Sequence, residues 1–238
     1  MKHSEKTKIV IDVTKPPYSA DNTGKTDCTE ILKRVYSDII EDYKNSDHAY
    51  SGKIASKIMY FPKGTYLVSD TIMYNGQSQN NGCANELNFK IGLEGENMEQ
   101  TVIKLKDNAK GFEYGQIRSV INFHLAPQSY FFNCANEALL DTFCNITLDC
   151  GKENPGAIGI KYYADNTANV QNVTIKSSDS KYEGFAAILF TGPEAGNFDN
   201  VKINGFDYGV ILTLNTPKEL FEKIDMENQH IDKIFKYD

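Results

Sequence analysis

Asn145-Ile-Thr-Leu, Asn172-Val-Thr-Ile and Asn200-Val-Lys-Ile are one short pattern written three times, at offsets of 27 and 28 residues. A looser copy, Lys223-Ile-Asp-Met, follows after another 23. A second pattern runs between them: Ala157-Ile-Gly-Ile, Gly184-Phe-Ala-Ala-Ile-Leu-Phe and Tyr208-Gly-Val-Ile-Leu, each read as a small-residue turn leading into a β-branched or aromatic strand. Segments this short cannot bury a hydrophobic face alone, so a period in the twenties points to a solenoid whose stacked coils share one core. The units are rich in Val, Ile, Thr, Phe, Tyr, Asn and Gly and show no helical periodicity, so the coils are β. The fold class read from this is all-β, a single-stranded right-handed parallel β-helix rising about 4.8 Å per coil.

Working outward to the N-terminus, Ile9 to Val13 alternates towards a strand, and Thr14 to Asp27 is a breaker-rich loop. A helix is then expected over Thr29 to Lys44. Thr26 or Asp27 can cap it, Glu30 stands near its third position, and Ile31, Leu32, Val35, Ile39 and Ile40 form an apolar stripe. The first coil of a β-helix would otherwise offer an unpaired edge for aggregation, so this amphipathic helix is assigned as its N-terminal cap. Asn45 to Ser56 and the Asn-rich Asn75 to Glu86 are expected loops. Residues 1–238 are read as a single β-helix domain: strand, loop and cap helix over 9–44, coils over 57–229, and an incomplete C-terminal end over 230–238.

Composition excludes some partners. With 25 basic against 32 acidic residues the net charge is −7, the wrong sign for a nucleic-acid or anionic-membrane surface. No apolar run of membrane-spanning length occurs. The charged start, Met1 to Lys8, lacks the apolar core of a signal peptide. A secreted or cell-surface location is expected, with a leader absent from this sequence; a cytoplasmic location is the alternative. Five cysteines without a C-x-x-C spacing read as buried thiols rather than a disulfide framework or metal site. Four scattered histidines have no metal-ligand spacing, and no cofactor or metal is expected.

Ile58-Met-Tyr-Phe-Pro-Lys-Gly-Thr-Tyr-Leu-Val-Ser-Asp-Thr sets two β-rich runs around Pro62-Lys63-Gly64, where Pro stops one strand and Gly permits a positive φ into the next. Taken with Asp21-Asn-Thr-Gly-Lys-Thr-Asp27 before the helix, and Lys90-Ile-Gly-Leu-Glu-Gly followed by Thr101-Val-Ile-Lys-Leu, this order resembles the N-terminal part of the pectate-lyase-like superfamily. From Phe143 onward, the order and spacing of the repeats are similar to the first β-helix of family-55 glycoside hydrolases of the exo-β-1,3-glucanase type. The resemblance implies a carbohydrate-active module, the N-terminal part of a polysaccharide-degrading hydrolase acting on β-glucan or a related glycan. A non-catalytic β-helix for glycan binding, adhesion or assembly is the alternative.

Glycosidic hydrolysis needs two carboxyl groups flanking the bond, about 5 Å apart or about 6.5–9.5 Å apart according to stereochemistry. Two loops at corresponding places in the repeat, Ala164-Asp-Asn-Thr-Ala and Thr191-Gly-Pro-Glu-Ala-Gly, supply Asp165 and Glu194 as candidate catalytic groups. Asn166 is a candidate for orienting a sugar hydroxyl, and Tyr162, Tyr163 and Tyr182 are candidates for stacking on sugar rings or for the core. The resemblance places a water-positioning Gln of the family at Asn166 and a Ser near Glu194, so neither identity is kept. It also places the family's general acid on a second β-helix, which implies further chain after Asp238. The expected partner is a polysaccharide or oligosaccharide.

Overall fold

A computed structural model describes residues 9–44, 57–73, 91–123, 142–162, 169–191, 196–212 and 218–237. The expected loops at 45–56 and 75–86 lie outside these. β1 (Ile9–Asp12), β2 (Thr23–Asp27) and α1 (Thr29–Lys44) open the chain. β3 (Lys57–Phe61) and β4 (Gly64–Val68) make one coil, and β5 (Ile91–Gly95), β6 (Thr101–Leu105) and β7 (Arg118–Asn122) the next. Three regular coils follow: β8 (Thr142–Asp149) with β9 (Ala157–Tyr162), β10 (Asn169–Lys176) with β11 (Ala186–Phe190), and β12 (Asn197–Asn204) with β13 (Tyr208–Leu212). β14 (Asp225–Glu227) and β15 (Asp232–Lys236) form the last. Every pairing is parallel. One sheet runs β1-β3-β5-β8-β10-β12-β14 with β2, β4 and β6 joining at β8, and the second runs β7-β9-β11-β13-β15. The chain is thus a right-handed parallel β-helix, as its repeats imply.

The repeated asparagine has a backbone cause. Asn145, Asn172 and Asn200 have φ of 57°, 53° and 48°, a left-handed conformation that Asn tolerates better than other side-chain-bearing residues. Each bends its eight-residue strand at the middle. The first half of β8 pairs with β5 and the second half with β6, so one asparagine does the work of a whole turn in the preceding coil. Side-chain amides then run up the corner: Asn172 Nδ2 donates to Asn145 Oδ1 at 3.1 Å, and Asn200 Nδ2 to Asn172 Oδ1 at 2.8 Å. The repeat register also holds, with Val173 opposite Ile146 and Val201 and Lys202 opposite Asp225.

The second pattern corrects the sequence reading in part. Gly184, with φ of 158°, does stand before β11, but Gly159 and Gly209 do not form turns before the strands; they lie inside β9 and β13. A Cβ on Gly159 would stand 2.7 Å from the Ala187 carbonyl oxygen, and one on Gly209 would stand 2.5 Å from that of Lys233. Small residues are required where these strands approach one another so closely. Gly64 does act at a turn, with φ of 143° and a would-be Cβ 2.3 Å from the Asn22 carbonyl oxygen.

α1 buries Leu32, Val35, Tyr36, Ile39 and Ile40 against the first coil. Asp27, not Thr26, serves its start: the carboxylate accepts the Thr29 N–H at 2.8 Å. Lys57 pairs with Asp42 near the helix end, and Lys33 with Asp70 at 2.9 Å. Ahead of the helix, the Asp21 carboxylate gathers the N–H groups of Thr23, Lys25 and Thr26 and the Thr23 hydroxyl. The Thr26 bond foremost, then the Thr23 hydroxyl, holds its pKa down to about 2. These bonds favour the charged form, so their contribution is complete above the pKa of an unfolded-chain Asp and is lost as pH falls through about 2. Thermal unfolding of wild type and Asp21→Asn should therefore differ most at neutral pH and converge towards about pH 2. A constant difference across that range would show that the carboxylate charge is not what organises this loop.

Residues 230–238, read as an incomplete end, contain β15, which pairs with β13 from Tyr208–Asp232 to Leu212–Lys236. Its Ile234 and Phe235 continue the strand pattern of the coils above it, which explains the pairing. Cys28 and Cys150 are buried thiols outside any disulfide, and Cys144 is half-buried.

Candidate functional site

The second sheet has two different faces. Tyr162, Phe190 and Leu212 are fully buried in the main core. Ile158, Ala186 and Ile211 form a separate apolar cluster from the same strands, with Leu189 and the rings of Phe185, Tyr208 and Phe235 packed on it. This second cluster lies across the sheet from the main core, on what we call its outer face; Ile158, Ala186 and Ile211 are themselves buried, and the partly buried Phe185, Leu189, Tyr208 and Phe235 form its rim. Strand register arranges it in columns: Ser119, Ile158, Ala186, Tyr208 and Asp232 in one, and Asn122, Lys161, Leu189, Ile211 and Phe235 in another. Along it, the Phe185 and Tyr208 ring centroids are 5.6 Å apart and those of Tyr208 and Phe235 5.2 Å apart. The ladder spacing is close to the strand spacing because each ring comes from a successive coil.

Lys161 stands out on this face. β9, β11 and β13 contain no other charged side chain. It is half-buried, and burial pushes its pKa below that of an ordinary lysine. Its neighbour in register is Asn122, and both Asn122 and Ser119 are buried polar residues on β7. The group brings an ammonium, an amide and a hydroxyl beside apolar and aromatic surface, which is the composition of a site that orients a polar ligand.

Two loops leave this sheet side by side. Tyr162 pairs with Phe190 at their starting points, and Asn169 pairs with Asn197 where the chain returns to the first sheet. The Asn197 amide donates to Asn169 Oδ1 at 3.0 Å. An aromatic floor underlies these anchor residues, with the Tyr162 ring centroid 5.1 Å from Phe123, 6.4 Å from Phe190 and 6.1 Å from Phe198. Asp165, Asn166 and Tyr163 (within 163–168) and Glu194 (within 192–195) lie outside the described residues.

Tyr162 is not a stacking platform. Its side chain is fully buried in the aromatic floor, because the residue after Lys161 turns inward. Tyr182 is 37% exposed, with φ of 59°, but it sits in the turn before β11 whereas Glu194 follows β11. Tyr162, by contrast, pairs with Phe190 at the far end of β11, a strand of five residues that spans about 16 Å at 3.3 Å per residue. Tyr162 and Tyr182 therefore do not make one surface. The residues that do share the outer face are Lys161, Asn122, Ser119, Tyr208, Phe185 and Phe235, and the sequence reading did not select them. The signal available was Lys161 itself, a lone charge in otherwise apolar strands. Along the other edge, His230 Nδ1 lies 3.1 Å from Asp207 Oδ1. Among the described residues, no group of three or more His, Cys, Asp or Glu side chains is arranged to hold a metal ion.

A family model described as rhamnogalacturonase A/epimerase, pectate lyase-like, matches residues 12–231. A comparison with curated proteins finds no match. Among solved structures, ORF18 of Geobacillus virus E2 is similar with a TM-score of 0.51 and 18% identity, over 88% of this chain and 31% of that one. The A-module of a mannuronan C-5 epimerase from Azotobacter vinelandii is similar with a TM-score of 0.50 and 15% identity, over 95% of this chain and 56% of that one. At these identities the structural likeness speaks for the fold. This chain spans 31% and 56% of the length of these two structures.

Proposed function

Because the chain belongs to the rhamnogalacturonase A/epimerase, pectate lyase-like family, we propose that it is a carbohydrate-active β-helix module that holds a polysaccharide against the outer face of its second sheet. The observation that carries this is the combination on that face of a ring ladder, one ring per coil, with Lys161, Asn122 and Ser119 at its head. Aromatic faces suit the apolar face of a pyranose, and amide and hydroxyl groups suit its hydroxyls. The family description names a rhamnogalacturonase, an epimerase and pectate lyase, which supports a glycan in place of a peptide or nucleic acid.

In the finer reading the module is part of a glycoside hydrolase acting on β-glucan or a related glycan, with Glu194 and Asp165 as its loop-borne carboxyl groups. The in-register anchors of the two loops support a shared site. A non-catalytic glycan-binding module is the second reading, favoured by the replacement of the family-55 water-positioning residues by Asn166 and Glu194.

One set of measurements separates these. A panel of pectic, β-glucan and other oligosaccharides is titrated calorimetrically, and each is incubated for new reducing ends and for ultraviolet-absorbing unsaturated products. Hydrolysis yields only the former, elimination yields both, and a binding module yields neither. If the finer reading holds, Glu194→Gln should lower the hydrolytic rate on the order of 10² while leaving the melting temperature unchanged, since it removes the ionisable proton at constant volume. Failure of every oligosaccharide to bind or react would overturn the carbohydrate reading.

A further inference from the structure

The second sheet ends at β15, which among the described residues pairs only with β13. A strand edge of this kind is a template for pairing with another chain. Tyr237 donates its N–H to the Leu212 carbonyl at 2.9 Å, and the peptide groups of a strand point alternately to its two sides, so those of Ile234 face away from β13. Side chains already hold both of them. The Ile234 N–H is donated to Asp232 Oδ1 at 3.3 Å, and the Ile234 carbonyl accepts from Lys218 Nζ at 3.2 Å. Lys218 opens a short 3-10 helix, Lys218–Phe221, that the core anchors: the buried Phe221 ring centroid lies 5.3 Å from that of Phe190 and 4.9 Å from that of Phe198.

We propose that the free edge of β15 is a pairing surface for a second copy of this chain, latched shut by Lys218 and Asp232. The strand is complementary to itself. In a two-fold antiparallel pair centred on Ile234, Ile231 stands opposite Tyr237 of the second copy, and Asp232 opposite its Lys236. Ile231 and Tyr237 are 62% and 68% exposed, so the pair covers two large apolar side chains and sets an acid against a base. The two Ile234 residues exchange both backbone hydrogen bonds once the latch releases them.

Head-to-tail addition of another coil fits this end less well. The register column of Tyr162, Phe190 and Leu212, all fully buried, ends on β15 in Lys236. A coil stacked beneath it would bury the ammonium among apolar side chains, which is costly, and a lysine in such a place guards a strand edge against open-ended addition. A two-fold pair closes on itself and gives Lys236 a carboxylate.

Sedimentation velocity over a concentration series tests this on the full chain. Wild type should be mostly monomer. Lys218→Met removes the latch but no group of the pair, so it should dimerise at about tenfold lower concentration, the factor for one charge-assisted hydrogen bond. Adding Asp232→Lys to that variant should abolish the dimer by opposing two lysines, and adding Lys236→Asp as well should restore it. Ile234→Pro is the second route: the lost N–H faces away from β13, so an edge strand tolerates it, yet pairing loses its central donor. Melting curves establish that each variant folds. Equal association of wild type and Lys218→Met, dimers of Lys218→Met that survive Ile234→Pro, or growth beyond the dimer would each overturn the proposal.

Discussion

Tyr162→Ala should destabilise the protein by about 3–5 kcal/mol, the range for truncating a large buried aromatic side chain. The ring is fully buried and has Phe123, Phe190 and Phe198 around it, so the substitution leaves a cavity in the floor where β9 and β11 end. For a chain of this length the melting temperature should fall on the order of 10 °C. Tyr162→Phe keeps the ring and should cost about 1 kcal/mol or less, the net worth of a typical hydrogen bond. Glycan affinity of the folded fraction distinguishes this from a stacking role. A buried structural Tyr162 changes stability in both variants according to ring loss, whereas a platform residue would lose affinity with little change in melting temperature. A melting temperature unchanged in Tyr162→Ala would refute the core assignment.

The later coils were legible because their constraint repeats at a fixed interval. Asn145, Asn172 and Asn200 meet the same backbone demand 27 and 28 residues apart, and a demand that only a few residue types satisfy leaves a visible trace. The earlier coils were less legible. Lys57 pairs with Ile91, but Gly92 pairs with Thr142, so the spacing changes from coil to coil and self-similarity dissolves. There the fold showed through turn chemistry, at Gly64, and through the helix stripe from Leu32 to Ile40.

The site was less legible than the fold. Loops with acidic and small residues point to proton chemistry, and so to Glu194 and Asp165. The outer face of the second sheet is built mostly from Ile, Leu, Phe and Tyr, which in a sequence cannot be told from core. The inward and outward positions of β9, β11 and β13 do not alternate simply: Ile158, Ala186 and Tyr208 belong to the second cluster, whereas Ile160, Ile188 and Val210, two residues on, belong to the main core. Period-two reading therefore fails across Gly159, Ala187 and Gly209, and Ile160, Lys161 and Tyr162 alternate only beyond that point. Only strand register, which the sequence does not print, puts Lys161 beside Asn122 and in one column with Phe235.

Asn172→Val should cost about 3 kcal/mol, combining two lost hydrogen bonds at about 0.5–1.5 kcal/mol each with about 1–2 kcal/mol for a β-branched residue in the left-handed region. Asn172 is the middle rung. It donates to Asn145 and accepts from Asn200, so its loss breaks the corner between two coils on both sides. Asn172→Gly retains the φ of 53° without strain and loses only the amide, so it should cost about half as much. Urea denaturation midpoints give the comparison, provided the slopes agree. The effect should also reach the starts of β10 and β12. Three residues before this corner, Asn169 pairs with Asn197 through a second amide bond of 3.0 Å, and these are the residues to which the two loops return. In a solenoid each coil is stabilised mainly by its neighbours, so amide exchange in Asn172→Val should rise at Val170 and Phe198 more than in α1. Equal cost for valine and glycine would mean that the left-handed corner carries no strain, and the recurrence of asparagine at 145, 172 and 200 would then rest on the amide ladder alone.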